Sequence, residues 1–341
     1  MALHPDRHPG HRRQLSGADA PVALFIAVPH RRAGSTLGPV VPTASPDPLP
    51  EPSPSPALRR DPLTGCWSYH PDLTHKPFTL ARRHLPEPGG PCAFCTLAAE
   101  PVEANGSIRN GEQISPLAAN GEHAFALENR WRPFEPTSGA QLVIARRHVT
   151  ALEDLTVPEL AEFLTFLLRL GARQGRRFPR TLCFVNIGLE VNGTQPHLHG
   201  QVVSTDLAVD APWTATFTLE SLDQDVLQAR EAGLVVEEAA ALTYCPWAPT
   251  ASGEVRILAP EIPTLARALH GTLWRLRAVL GEFPYNLLVR DAPSLLAQVV
   301  PRLSAVGVLP DYFGLTVVTL PPDHIARDLR LAHDSPPDPT R

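Results

Sequence analysis

Two histidines separated by one residue are the side chains in this sequence best suited to chemistry. His197 and His199 lie in the segment Gly-Thr-Gln-Pro-His-Leu-His-Gly-Gln, residues 193–201, after a strand-like run from Thr181 to Asn186. Because side chains two residues apart on an extended backbone point the same way, both imidazoles can face one site. Imidazole can attack or bind phosphorus, so the pair indicates phosphate chemistry. The alternative is a surface loop in which the pair has no function.

The residues around this pair extend the candidate site. Gly193 lacks a Cβ atom, so the backbone there can approach a bound group closely. Gln195 and Gln201 flank the two histidines. Their amides can donate hydrogen bonds to charged phosphate oxygens, which is the arrangement that stabilises a reacting phosphoryl group.

A Cys-x-x-Cys pair, Cys92 and Cys95, predicts a metal site. Two thiolates at this spacing can hold one tetrahedral Zn²⁺. A redox pair is the alternative, but it would be expected at the start of a helix after a strand, whereas this pair follows the turn sequence Pro-Gly-Gly-Pro. His148 and His197 are available as the two further ligands. The sequence therefore favours zinc over redox chemistry.

Together these elements resemble the galactose-1-phosphate uridylyltransferase family of the histidine-triad superfamily. The resemblance extends over about residues 58–331 and keeps the family order. Its elements are Leu58-Arg59-Arg60-Asp61-Pro62-Leu63-Thr64-Gly65-Cys66-Trp67, Cys92 with Cys95, Glu128-Asn129-Arg130-Trp131, Arg146-Arg147-His148, and Asn186, Gly193, His197, His199 and Gln201.

The resemblance implies a role for each matching residue. His199 is the expected nucleophile, and Gln201 is expected to stabilise the reacting oxygens. One structural Zn²⁺ per chain is expected on Cys92, Cys95, His148 and His197. The expected substrate-binding residues are Asn129, Trp131, Asn186, Gly193, Thr194 and Gln195.

The activity that the resemblance implies is a nucleotidyl transfer in galactose and carbohydrate metabolism. UMP would pass between UDP-glucose and galactose 1-phosphate through a covalent nucleotidyl-histidine, so the partners are a nucleotide-sugar and a sugar phosphate. The family also implies a homodimer. Two alternatives stay open: a phosphorylase or hydrolase of Ap4A or ADP-sugars, which shares the Gln-Pro-His-x-His pattern, and a non-catalytic nucleotide-binding protein.

The fold class predicted is α+β, with two histidine-triad-like domains that each contain an antiparallel sheet and a long helix. A repeat supports this arrangement, because a turn, a strand, a helix and two strands occur twice. The predicted strands are Ala140–Ala145, Thr181–Asn186 and Gly200–Thr205 in the first repeat, and Glu254–Ala259, Tyr285–Arg290 and Gly314–Leu320 in the second; the helices are Val157–Gln174 and Pro263–Leu280.

The domain boundaries follow from this repeat. We expect a disordered, proline-rich tail over residues 1–57, a catalytic domain with the zinc site over 58–210, and a second domain over 211–341. Family members often carry a His-x-His metal set in the second half. Leu295 to Arg302 has no histidine, so the second domain is expected to lack catalysis and a second metal.

Composition indicates a cytoplasmic protein without nucleic-acid or membrane partners. The net charge of −5 does not indicate the positively charged surface that binds nucleic acid. Five cysteines with one close pair suit a reducing compartment. The apolar run from Ala20 to Val28 is too short to cross a bilayer.

Overall fold

The computed structural model describes residues 57–70, 92–110, 113–129, 138–191, 193, 195–206, 218–291, 294–303 and 315–332. The chain divides into Met1–Leu49 and Pro50–Arg341, and every described residue lies in the second unit. The predicted proline-rich tail therefore falls outside the described residues, apart from Ala57 at its end. Within the described ranges, no helix is both long and apolar enough to cross a membrane.

An eleven-stranded sheet, antiparallel throughout, forms the centre of the molecule. Its strands are β3 (Ser107–Asn110), β4 (Gln113–Asn120), β5 (Ala124–Glu128), β6 (Ser138–Ala145), β7 (Arg180–Ile187), β8 (His199–Thr205), β9 (Val235–Glu238), β10 (Leu242–Tyr244), β11 (Val255–Ala259), β12 (Tyr285–Arg290) and β13 (Leu295–Pro301). A three-stranded sheet contains β1 (Ala57–Arg60), β2 (Trp67–His70) and β14 (Leu315–Val317).

The described part of the chain contains five α-helices. They are α1 (Ala93–Ala99), α2 (Val157–Gly175), α3 (Leu219–Glu231), α4 (Ile262–Leu280) and α5 (Pro322–Leu331). The predicted capping box begins α2, because the Thr156 side chain accepts from the Glu159 amide while Glu159 accepts from the Thr156 amide. The apolar stripes of α2 and α4 are buried, as their helical spacing predicts.

The strand order shows the predicted repeat. The large sheet runs β3-β4-β5-β6-β8-β7-β12-β13-β11-β10-β9. The series β5-β6-β8-β7 is therefore repeated in mirror order by β12-β13-β11-β10, and each series has a long helix between its second and third strand in sequence. The two series join where β7 pairs antiparallel with β12. They share one continuous sheet, and the division of the chain at residue 210 stays a prediction.

The closing strand of the second repeat differs from the prediction. It is β13, Leu295–Pro301, and not the run Gly314–Leu320, where β14 instead pairs parallel with β2. The reason is proximity and burial. Strand β13 begins only five residues after the end of β12, and all of its residues but the first are buried. A strand buried on both faces reads as a continuous apolar run and carries no alternation to identify it.

The two faces of the large sheet have different covers. Helices α2 and α4 pack on one face and enclose the main core, which includes Leu167, Val185 and Leu273. On the opposite face, α1 contributes Phe94 to a smaller cluster with Phe125 and other apolar residues. The histidine pair lies beside this smaller cluster.

Candidate functional site

Four side chains predicted as metal ligands converge in the structure. One ligand atom from each of Cys92, Cys95, His148 and His197 lies within 4.8 Å of the other three. The Nδ1 atom of His197 is 3.4 Å from both sulfurs, and Nδ1 of His148 is 3.0 Å from the Cys95 sulfur. The group could hold a metal ion.

Separate elements bring these ligands together. Cys92 is the N-cap of α1, and Cys95 lies within its first turn. His148 follows the end of β6, and His197 comes just before β8, the neighbour of β6 in the sheet. The pairing of these two strands therefore fixes the distance between the two histidines, whose ring centroids are 4.9 Å apart.

The distances and donor types fit Zn²⁺. Tetrahedral zinc with sulfur at about 2.3 Å and nitrogen at about 2.0–2.1 Å requires ligand atoms about 3.3–3.8 Å apart. Closing the group to that size needs shifts of under about 1 Å. Burial and the neighbouring Cys92 raise the pKa of the Cys95 thiol. A divalent cation would reverse this effect, because it stabilises both thiolates.

His197 is oriented as a ligand by its backbone contact. Its Nε2 donates to the Ala145 carbonyl over 2.6 Å, which leaves the Nδ1 lone pair facing the two sulfurs. Burial, with the nearby His148 and His199, lowers the pKa of His197. The ring is therefore neutral at pH 7, as a metal ligand must be. The cysteine pair does lie at the start of a helix, contrary to the expectation from the turn sequence before it, so its position alone does not exclude a redox pair. A dithiol redox pair needs no such histidines, however, so the surroundings favour the metal site.

His199 is the first residue of β8 and has a different orientation. Its Nδ1 donates to the carbonyl of His197 over 3.0 Å, so Nε2 carries the lone pair. The edge of Phe94 packs on the ring at 5.2 Å between centroids. Burial lowers the pKa of His199. The imidazole is thus neutral and held in place, and its Nε2 has no partner among the described residues.

Gln201 and Asn186 lie on the same face of the sheet as His199. Gln201 is two residues further along β8, so its side chain points the same way. Strand β7 pairs Phe184 with Gln201 and Val185 with Gly200, and the next step of this register places Asn186 beside His199. The structure brings these three predicted site residues together.

Gly193 has a structural reason to be glycine. A Cβ atom there would lie 2.5 Å from the Gly188 carbonyl oxygen, with which the Gly193 amide forms a 2.9 Å hydrogen bond. The close approach predicted at this position is thus to the chain itself. Contact of Gly193 with substrate stays a prediction.

The remaining predicted substrate residues are less defined. Gln195 is exposed on the loop before His197, and Asn129 follows the end of β5, where its amide donates to the Ala140 carbonyl. Trp131 and Thr194 lie outside the described residues. Phe94, which packs against both histidines, was not predicted as a site residue, although its place between the two cysteines offered a signal.

Within the described ranges, the second repeat holds no comparable metal group. At its counterpart of β8, strand β13 carries Gln298, which donates to the buried Glu254. This repeat does contribute Asn286 and Arg302 near the pairing of β7 with β12, which we call the seam between the repeats. The Asn286 side chain bonds Asn186 over 2.8 Å, and Arg302 bonds Asn286 over 2.6 Å.

Comparison with known proteins shows a likeness in fold. No protein-family model matches the chain, and no curated protein matches its sequence. Among solved structures, an ADP-glucose phosphorylase from Arabidopsis thaliana with bound ADP-glucose gives a TM-score of 0.59 at 17% identity, covering 81% of this chain and 98% of that one. A GalT-like protein from the same plant gives 0.57 at 18% identity, covering 82% and 99%.

A uridylyltransferase structure is similar to the same degree. Its TM-score is 0.53 at 19% identity, and the match covers 80% of this chain and 97% of that one. Identities this low establish the shared fold alone. They support the predicted α+β fold with a large antiparallel sheet, whereas the division into two domains stays a prediction.

Proposed function

We propose that this protein is a nucleotidyltransferase that works through a covalent nucleotidyl-histidine at His199. The observation that carries this proposal is the state of that ring: Nδ1 is held by the His197 carbonyl, and Nε2 is left with its lone pair and no partner in the described part of the chain. The neutral ring lies beside Gln201 and Asn186, two amides that can donate to phosphate oxygens.

In the first step, Nε2 of His199 attacks the α-phosphorus of a nucleotide-sugar. A P–N bond forms, and the P–O bond to the sugar phosphate breaks, so the sugar phosphate leaves with the electron pair. A neutral nucleophile suits this reaction, because the anionic phosphoanhydride repels negative charge. Removing an amide donor to the reacting oxygens would cost on the order of 2–4 kcal/mol of barrier.

In the second step, the phosphate of an acceptor attacks the phosphorus and breaks the P–N bond, which restores neutral His199. The two half-reactions predict ping-pong kinetics. Cys92, Cys95, His148 and His197 would hold one Zn²⁺ with all four positions filled by protein, so its role is structural. It would fix the loop that leads into β8, where the proposed nucleophile lies.

The specific reaction we propose is exchange of UMP between UDP-glucose and galactose 1-phosphate. Support comes from the motif resemblance and from the fold shared with a uridylyltransferase. We propose nucleotide contacts for Asn129 and Trp131, and phosphate contacts for Gly193, Thr194 and Gln195. A second candidate is phosphorolysis of an ADP-sugar, because a similar structure was solved with ADP-glucose bound.

Trapping the intermediate tests the proposal. The purified protein is incubated with UDP-glucose or ADP-glucose labelled in the nucleotide, without acceptor, and the denatured chain is assayed for label. We expect an acid-labile, base-stable adduct on the wild type and on the control His123→Ala, which changes a half-buried histidine of the same repeat. The His199→Ala variant should form none. Residual turnover of His199→Ala within tenfold of wild type would contradict the assignment.

The acceptor decides between the two reactions. Galactose 1-phosphate should discharge a uridylyl adduct and give UDP-galactose if the protein is a transferase. Inorganic phosphate should discharge an adenylyl adduct and give ADP if the protein is a phosphorylase. Nucleotide binding without any adduct would instead identify a non-catalytic binding protein.

A further inference from the structure

A row of polar side chains crosses the seam between the two repeats. Strand β12 pairs Asn286 directly with Asn186 of β7, and the β7–β8 register places Asn186 beside His199. Side chains of adjacent strands on one face are neighbours, at a strand spacing of about 4.8 Å. The row His199, Asn186, Asn286 therefore spans roughly 10 Å on the face opposite the long helices.

The hydrogen bonds in this row determine which end of each asparagine amide, oxygen or nitrogen, faces each neighbour. Arg302 can only donate, so the atom of Asn286 that accepts from its Nε must be the amide oxygen. The amide nitrogen of Asn286 then faces Asn186, whose own oxygen must accept the 2.8 Å bond. The Nδ2 group of Asn186 is left without a protein partner in the described residues.

The geometry points to Arg302 as a positioning residue for Asn186, acting through Asn286. An asparagine amide can turn by 180° with almost no change in shape, and each orientation presents a different group to the ligand. Arg302 selects the orientation in which Asn186 offers a donor. A donor beside His199 can bond a phosphoryl oxygen, whereas the amide oxygen would repel it.

This inference rests on the proposed function, since it assigns the Asn186 donor to the phosphoryl group that His199 attacks. It also assigns a role in the reaction to the second repeat. That half has no histidine pair, yet it supplies the two residues that set the orientation of a group in the first half. If Asn286 and Arg302 had only a structural role, they would stabilise the contact between the two repeats and would not affect the reaction.

We call the effect of Arg302 on the orientation of Asn186, through Asn286, the relay. Four variants distinguish this relay from a purely structural role. Asn286→Asp keeps the contact with Arg302 but presents only acceptors, so Asn186 must turn its amide nitrogen toward position 286. Arg302→Met removes the donor, and Arg302→Lys keeps a positive donor. Arg267→Met changes an exposed arginine of α4, a helix on the other face of the sheet, and serves as the control. The readouts are the single-turnover rate of adduct formation, its half-saturating nucleotide-sugar concentration, and urea stability.

We expect Asn286→Asp to slow adduct formation by about 100-fold, the effect of losing one donor to a reacting oxygen. Its stability should be unchanged or higher, because the charge-assisted hydrogen bond from Arg302 becomes an ion pair. Arg302→Met should slow the reaction by roughly tenfold, with Arg302→Lys in between and Arg267→Met unchanged. Half-saturating concentrations should move less than about threefold, since the donor acts mainly in the transition state.

The outcomes distinguish this inference from the proposed function. If the wild type forms the adduct while Asn286→Asp and Arg302→Met stay within twofold of it, the relay is overturned and the function stands. If the wild type forms no adduct, the function fails, and calorimetric titration with inorganic phosphate then tests the relay. Binding at least tenfold weaker in Asn286→Asp than in wild type would support it; equal binding, or no binding by the wild type, would overturn it.

Discussion

The two histidines of the pair use opposite ring nitrogens for their backbone contacts. His197 donates from Nε2 to the Ala145 carbonyl, whereas His199 donates from Nδ1 to the carbonyl of His197. One ring therefore keeps a lone pair facing the proposed metal ligands, and the other keeps its lone pair for the proposed attack on substrate. The residue types and their spacing predicted both sites. The division between the two rings could not be predicted, because it depends on a carbonyl that a neighbouring strand supplies.

Loss of one proposed zinc ligand should remove metal and stability together. We expect about one zinc per chain in the purified wild type and little in Cys92→Ser or His148→Ala. Structural zinc contributes to folding directly, so these variants should lose several kcal/mol of unfolding free energy, on the order of what closed sites supply. Metal analysis and thermal unfolding measure both quantities. The His123→Ala variant is the control, and folded, active wild-type protein without zinc would contradict the site.

At the scale of single elements, a glycine lets the first long helix lie close to the sheet. Gly171 of α2 faces Cys183 of β7, and a Cβ atom at position 171 would come within 2.3 Å of the Cys183 sulfur. Burial raises the pKa of this thiol to about 12, so the sulfur is a neutral packing atom. Its S–H points to the Leu167 carbonyl, one helical turn before the glycine.

Two opposing effects decide the result of Gly171→Ala. Alanine gains up to about 1 kcal/mol of helix propensity over glycine. The overlap with the Cys183 sulfur should cost about 1–3 kcal/mol, so we expect net destabilisation. The double variant Gly171→Ala/Cys183→Ala should be less destabilised than the sum of the single variants, because removal of the sulfur makes room for the methyl group.

Urea unfolding of the wild type, the variants Gly171→Ala and Cys183→Ala, and the double variant measures this coupling. Gly175→Ala is the matched control in the same helix, where the added Cβ would have its nearest neighbour at 3.9 Å. That variant should be neutral or more stable. Additive effects of Gly171→Ala and Cys183→Ala would show that the helix and the strand are not in the proposed contact.

Elements with local signals were predicted well, and those without them were not. Helix α2 has a capping box and a regular apolar stripe, and its observed end differs from the prediction by one residue. Strand β13 has no alternating pattern, and its identification depends on pairing with β12 and β11. The seam between β7 and β12 also depends on tertiary pairing, so the row from His199 to Arg302 was not visible in sequence.

At the scale of the whole molecule, a buried group of charges ties the start of the described chain to the second repeat. The guanidinium of Arg256 is fully buried and contacts three carboxylates, those of Asp61, Asp225 and Glu254, at 2.7–3.0 Å. Asp61 belongs to the Asp-Pro-Leu-Thr-Gly motif, whose Thr64 hydroxyl also donates to it. In this chain, the motif thus anchors β1 and β2 against the second half.

Arg256 alone contacts all three of these carboxylates, and Arg290 lies near enough to interact with Asp61. Asp225 accepts from Arg256 and from the Tyr244 hydroxyl through Oδ2, while its buried Oδ1 has no partner in the described part of the chain. Burial raises the pKa of Asp225 to about 6, against the lowering effect of Arg256. The free oxygen is a position for a proton, so this carboxyl should titrate near neutral pH.

The consequence is a pH-dependent stability with a defined sign. Because the folded pKa of Asp225 lies above its unfolded value, the stabilisation from this group is complete below about pH 4 and is lost as the pH rises through about 6. Asp225→Asn removes the titration and keeps an acceptor for Tyr244. The unfolding free energy of wild type minus that of Asp225→Asn should therefore decrease from pH 4 to pH 7, by on the order of 1–3 kcal/mol. Urea unfolding at several pH values measures this difference, with the exposed Asp223→Asn on the same helix as the control. A difference that is constant or increases with pH would show that Asp225 is ionised throughout and that Arg256 outweighs its burial.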